Sequence, residues 1–181
     1  QANSSELIEF ADGRSIEWFS CPQWIDGEPV ARVWSCRDVT KAKQTERALM
    51  EQKLLLEAML NAIPAPVFYK DVQGRYLNCN PAFLELMQLP REKVIGTDIG
   101  EVTARSHAEW VKERDAVLFL TGGSMTYETE HPRQDGSKMQ IVVTKGTFSG
   151  ADGRTAGLVG IILDITERKR IEQELNHLAT H

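Results

Sequence analysis

Three cysteines and four histidines are the residues of this chain best suited to nucleophilic or metal chemistry. Their spacing points to neither. Cys21, Cys36 and Cys79 are an odd number with no CxxC pair, so neither a disulfide framework nor a zinc site is indicated, and a reducing, cytoplasmic location is expected. His107, His131, His177 and His181 form no HExxH or other paired spacing and read as surface or linker residues. There is no nucleophile-and-base pattern, no GxxxxGKS phosphate loop and no metal cluster, so no catalysis is expected from this stretch. What does recur is a polar pair, Asp38-Val39-Thr40 and Asp164-Ile165-Thr166. Asp and Thr ahead of a charged helical stretch can cap that helix by accepting its free N–H groups.

The two pairs close two copies of one unit of turn, strand, turn, strand and helix, spanning residues 11–49 and 134–175. Asp-Gly at 12–13, 26–27, 135–136 and 152–153 marks the turns, since Gly accepts positive φ and Asp bonds its own backbone. The first copy lacks what the second has between residues 64 and 133, so residues 6–40 are expected to form only a hairpin. In the second copy, strands at 66–70 and 75–79 flank a Gln73-Gly74 turn. Asn80-Pro81 starts a helix, with Asn as cap and Pro at the first position, and Phe83, Leu84, Leu86 and Met87 give it an apolar stripe. Ser106 is read as the cap of a helix over 107–120 that turns Trp110, Val117, Leu118 and Phe119 to the core. Strands at about 124–132, 138–149 and 156–165 complete the plan.

Aligning the copies assigns faces. Arg37 falls opposite Leu163 and Ser35 opposite Ile161, so Leu158, Gly160 and Ile162 point to the core. In the preceding strand Glu17 aligns with Gln140, and Ile16 and Trp18 with Met139 and Ile141. Met139, Ile141 and Val143 should therefore face inward with Phe83, Met87, Trp110 and Leu118.

Composition sets outer limits. At 181 residues the chain holds one well-packed domain plus appended elements, and its 41% hydrophobic and 26% charged content is that of a folding chain. A net charge of -5 gives no footprint for nucleic acid, and Arg168-Lys169-Arg170 reads as a solvated helix face. No apolar run approaches the roughly 20 residues of a membrane span, and no signal-peptide pattern is seen, so no membrane contact is expected.

The order of two strands, short helices, one longer helix and three strands resembles the PAS sensor domain. Residues 68–83, Phe-Tyr-Lys-Asp-Val-Gln-Gly-Arg-Tyr-Leu-Asn-Cys-Asn-Pro-Ala-Phe, resemble the opening of that family. Asp135-Gly136-Ser137 and residues 160–169, Gly-Ile-Ile-Leu-Asp-Ile-Thr-Glu-Arg-Lys, resemble its C-terminal half. The likeness covers residues 56–170, and residues 6–49 look like a truncated second copy. It implies an α+β fold, a five-stranded antiparallel sheet with helices on one face. It divides the chain into the C-terminal hairpin of a first PAS domain (1–40), a helical connector (41–63), a complete PAS domain (64–166) and an outgoing connector helix (167–181).

In many members a small-molecule pocket lies between sheet and helices. Here it would be lined by Phe83, Met87, Trp110, Leu118, Met139, Ile141, Val143, Leu158, Gly160 and Ile162, and a merely filled core is the alternative. The ligand is unknown. Flavin-reactive members carry Asn-Cys-Arg-Phe in the helical segment, whereas Cys79 ends a strand. Haem-binding members present a His from the long helix, whereas His107 stands at its very start, so both cofactors are disfavoured. The family also implies that Asp164 and Thr166, with Asp38 and Thr40 in the first copy, couple sheet to outgoing helix.

The connectors suggest a homodimer, with an ordinary amphipathic linker as the alternative. Ala42, Leu49, Leu56 and Ile63 recur every seven residues with Met59 at an offset position, and Ile171, Leu175 and Leu178 repeat the stripe. The ending from Glu174 to His181 resembles the lead-in to a GGDEF diguanylate cyclase, which makes cyclic di-GMP. A histidine kinase is the alternative output, and a protein-interaction module with a filled core the alternative function.

Overall fold

The computed structural model describes residues 3–103, 105–132 and 136–179. Asp135, Thr180 and His181, which figure in the turn and output readings above, lie outside them. The chain divides within its first helix into two units, residues 1–58 and 59–181.

The first unit holds β1 (Ser4–Glu9), β2 (Ser15–Ile25) and β3 (Glu28–Asp38), antiparallel in the order β1-β2-β3, and most of α1 (Thr40–Ala62). The Asp26-Gly27 turn takes positive φ at both positions, 50° and 83°, as a two-residue hairpin loop requires. The expected hairpin is thus a three-stranded sheet. β1 pairs along β2 from Ser4 opposite Ser20 to Glu9 opposite Ser15, satisfying the edge that a bare hairpin would leave open.

The second unit is a five-stranded antiparallel sheet in the order β5-β4-β8-β7-β6, built from β4 (Val67–Asp71), β5 (Tyr76–Cys79), β6 (Ser124–Pro132), β7 (Lys138–Ser149) and β8 (Thr155–Asp164). Between β5 and β6 come α2 (Pro81–Met87), a short 3-10 turn, α3 (Ile99–Val102) and α4 (Arg105–Thr121), and α5 (Thr166–Ala179) leaves the sheet. Phe83, Val111 and Leu118 from the helices and Phe68, Ile141 and Leu158 from the strands share one buried cluster. Alternation holds along β7, where Met139, Ile141, Val143 and Lys145 are all buried.

Three sequence expectations shift. α4 begins at Arg105, so Ser106 is not its cap. Val117 is exposed, because the buried face runs through Val111, Asp115 and Leu118 at i, i+4 and i+7. The repeat is offset by two residues in its first strand: Ser15 and Gln140 are equivalent, as are Ile16 and Ile141, which stand opposite Asp38 and Asp164. A slip of two preserves the strand's faces, which is why the inward assignments survive it.

Candidate functional site

Asn80 fixes the entrance to α2. Its side-chain oxygen accepts from the Phe83 N–H at 3.0 Å and from the Val67 N–H at 2.9 Å. Its amide donates to the carbonyls of Ile63 and Ala65. One fully buried side chain therefore joins the end of α1, the start of β4 and the first turn of α2. Phe83 is held against Phe68 and Tyr76 at ring separations of 5.1 and 5.4 Å. Gly160 stands in register between Phe68 on β4 and Lys145 on β7, and a Cβ there would fall 2.2 Å from Phe68 Cζ. Its missing side chain lets the Phe68 ring lie across β8.

These rings floor a cavity of about 50 Å³ between sheet and helices, room for roughly three to five water-sized probes. From the helical side it is lined by Phe83, Leu86 and Met87 of α2, Ile99 of α3, and His107, Trp110 and Val111 of α4. The sheet supplies Ile141 and Val143 of β7 and Ile162 of β8, and Tyr127, Thr129 and His131 of β6. Tyr127 meets Trp110 edge to face at 5.1 Å, and the Arg114 guanidinium lies 3.5 Å from the centre of the same indole.

Two further groups line this cavity, the ammonium-bearing side chains of Lys70 and Lys145. They are 1% and 2% exposed. Each reaches one carboxylate, that of Asp115 on α4: Lys70 Nζ donates to Oδ2 at 2.8 Å and Lys145 Nζ to Oδ1 at 2.5 Å. Lys70 Nζ also lies 4.9 Å from the Tyr76 ring centre, and Lys145 Nζ 5.5 Å from that of Tyr127. Burial pushes both lysine pKa values down while Asp115 opposes the shift. The His107 imidazole is likewise pushed down, by burial first and then by His131 and Lys145. Burial raises the Tyr127 and Tyr76 phenols and the Cys79 thiol, so all three stay protonated at neutral pH, and Cys79 is a packed, unreactive thiol.

The cavity connects to the exit of the domain through β7. Ile141, Val143 and Lys145 of that strand line it, and the next residue towards the N-terminus, Gln140, donates its N–H to Thr166 Oγ1 at 3.0 Å. The Thr166 N–H donates to Asp164 Oδ1 at 2.8 Å, and the Ile165 N–H to the Gln140 carbonyl at 2.8 Å. The first unit repeats this join: the Ser15 N–H donates to Thr40 Oγ1 at 2.9 Å and the Thr40 N–H to Asp38 Oδ1 at 2.9 Å.

Of the residues expected at the pocket, Phe83, Met87, Trp110, Ile141, Val143 and Ile162 come together around the cavity. Leu118, Met139 and Leu158 are instead buried in the surrounding packing, and Gly160 is covered by the Phe68 ring. The connector residues Leu49, Leu56, Met59, Ile63, Ile171, Leu175 and Leu178 are all exposed. Sequence reasoning missed the lysines and the aspartate. The parity that turns Met139, Ile141 and Val143 inward also turns Lys145 inward, and Asp115 lies on the stripe with Val111 and Leu118. His107 and His131, expected at the surface, face the cavity. Among the described residues no group of three or more His, Cys, Asp or Glu side chains could hold a metal ion. None of the described helices is long and apolar enough to cross a membrane.

A family described as PAS fold matches residues 60–170. The virulence sensor protein BvgS of Bordetella bronchiseptica is 27% identical over 148 residues, 80% of this chain and 12% of that protein. The aerobic respiration control sensor protein ArcB of Escherichia coli is 30% identical over 125 residues, 69% of this chain and 16% of that one. The methanogenesis regulatory histidine kinase FilI of Methanothrix harundinacea is 30% identical over 109 residues, 60% of this chain and 12% of that one. The solved PAS domain of Bordetella pertussis BvgS superposes with a TM-score of 0.56 at 21% identity, covering 72% of this chain and 98% of that structure. The chain thus spans less than a fifth of the length of these three curated relatives.

Proposed function

Because the chain belongs to the PAS fold family, whose units are sensor domains, we propose that residues 64–166 bind a small molecule in the cavity and pass the occupancy to α5. The observation that carries this reading is the double role of β7. One strand lines the cavity with Ile141, Val143 and Lys145 and, at Gln140, grips the first residue of α5. A ligand that shifts β7 by a fraction of an ångström acts directly on Thr166, and Asp164, the last residue of β8, accepts from the Thr166 N–H and caps the helix start. Asp38 and Thr40 make the matching join into α1.

Exposed leucines and methionine on both connectors, including Leu49, Leu56, Met59, Leu175 and Leu178, support parallel homodimerisation as the way the movement is read. For the output, a histidine kinase has the support of FilI by name. A diguanylate cyclase rests on the Glu174–His181 resemblance alone, and the relatives add nothing to it. The three free cysteines fit the reducing cytoplasm.

Native mass spectrometry of the purified chain tests the reading. A small adduct that disappears in the cavity-filling variant Val143→Phe supports it. A protein-only mass, with Val143→Phe losing stability because the core has no room for the larger ring, favours a filled-core interaction module.

A further inference from the structure

The cavity's charges do not balance. Lys70 and Lys145 bring two ammonium groups, and Asp115 is the one acceptor either reaches among the described residues. A further carboxylate that acts on Lys70, that of Asp98, is held by Lys112 at 2.9 Å. The other ionisable neighbours, Arg114 and Asp115 on α4 apart, are His107, His131, Tyr76 and Tyr127, none of which adds a negative charge at neutral pH. A buried charge without a partner is strongly unfavourable, so the site either sheds a proton or takes an anion.

We propose that this cavity is a binding site for a small carboxylate, whose anionic head sits between the Lys70 and Lys145 ammonium groups and whose short tail lies against Phe83, Met87 and Ile162. The geometry sets the chemistry. Each ammonium has three N–H donors and spends one on Asp115, leaving donors that a carboxylate can take up as charge-assisted hydrogen bonds. The volume of about 50 Å³ restricts the guest to a few non-hydrogen atoms. The remaining walls are aromatic and aliphatic, which suits a methyl or methylene group and rejects a second charge. The inference rests on the ligand-sensing reading above and specifies its ligand class.

The test is titration calorimetry of the full chain with acetate and with its neutral isostere acetamide, repeated on Lys70→Met and Lys145→Met. Either substitution brings the buried set to a neutral lysine–aspartate pair, so each should weaken acetate by about 10- to 100-fold and leave acetamide unchanged. Two variants guard against one failing to fold, and amide proton spectra verify each fold. Acetate binding that is lost in the variants, with acetamide weak throughout, supports the proposal. Equal binding of acetate and acetamide, or acetate binding undiminished in both variants, overturns the anion inference and leaves the sensing reading standing. Binding of neither probe also overturns it, and the native-mass adduct then decides the sensing reading separately.

Discussion

Asp115→Ala and Lys70→Met remove opposite members of the same buried cluster and should act in opposite directions on stability. Asp115→Ala leaves two ammonium groups at 1% and 2% exposure with no carboxylate. Removing one partner of a buried ion pair costs about 3–5 kcal/mol. Two orphaned cations place this variant at the top of that range unless one lysine deprotonates, which caps the loss. Lys70→Met keeps the stem's volume, removes the uncompensated charge and leaves Lys145 paired to Asp115. It should be neutral, or stabilising by about 1 kcal/mol or more. With a urea slope of about 2 kcal/mol/M, Asp115→Ala lowers the unfolding midpoint by about 1.5–2.5 M, and Lys70→Met leaves it in place or raises it. Urea unfolding followed by circular dichroism reads both. A midpoint for Asp115→Ala within about 0.3 M of the parent, or a loss in Lys70→Met as large as that in Asp115→Ala, would refute the charge accounting.

The same lysines predict a pH dependence. Their folded pKa values lie below the ordinary 10.5. Between the folded value and 10.5 the unfolded chain therefore binds more protons, and the penalty of burying charge is relieved as pH rises through that window. Parent stability measured against Lys70→Met should gain with pH towards 10.5; a flat difference contradicts the shift. Gly157→Ala would place a Cβ 2.1 Å from the Lys70 carbonyl oxygen. Backbone must move, so thermal denaturation should show a loss of at least about 1–3 kcal/mol. Asn80→Ala removes an N-cap together with the buried bonds to Val67, Ile63 and Ala65. Its chemical denaturation should report at least about 2 kcal/mol, above an ordinary exposed cap.

The sheet, its faces and the strand boundaries were legible because period-two alternation and Asp-Gly turns are local signals. An error of two residues in aligning Glu17 with Gln140 did no damage for the same reason. The helix joins were legible through the repeat: Asp38 and Asp164 both accept from the Thr two residues on. The heart of the cavity was not, because Asp115 is 45 residues from Lys70 and 30 from Lys145 and each alone reads as a surface charge. Only their inward parity marked them, on a β-strand beside Phe68, on a helix beside Val111 and Leu118, and on a β-strand beyond Val143. β1 was missed because Ser4-Ser5-Glu6 is polar, and its pairing comes from the open edge of β2 rather than from its own apolar content.

The coupling of cavity to α5 through β7 is tested most directly by following backbone amide resonances during an acetate titration. Gln140, Ile165 and Thr166 should shift along the same saturation curve as Val143 and Lys145, since Gln140 both continues the lining strand and bonds Thr166 and Ile165. Saturation at Val143 and Lys145 with Gln140, Ile165 and Thr166 unmoved would contradict it.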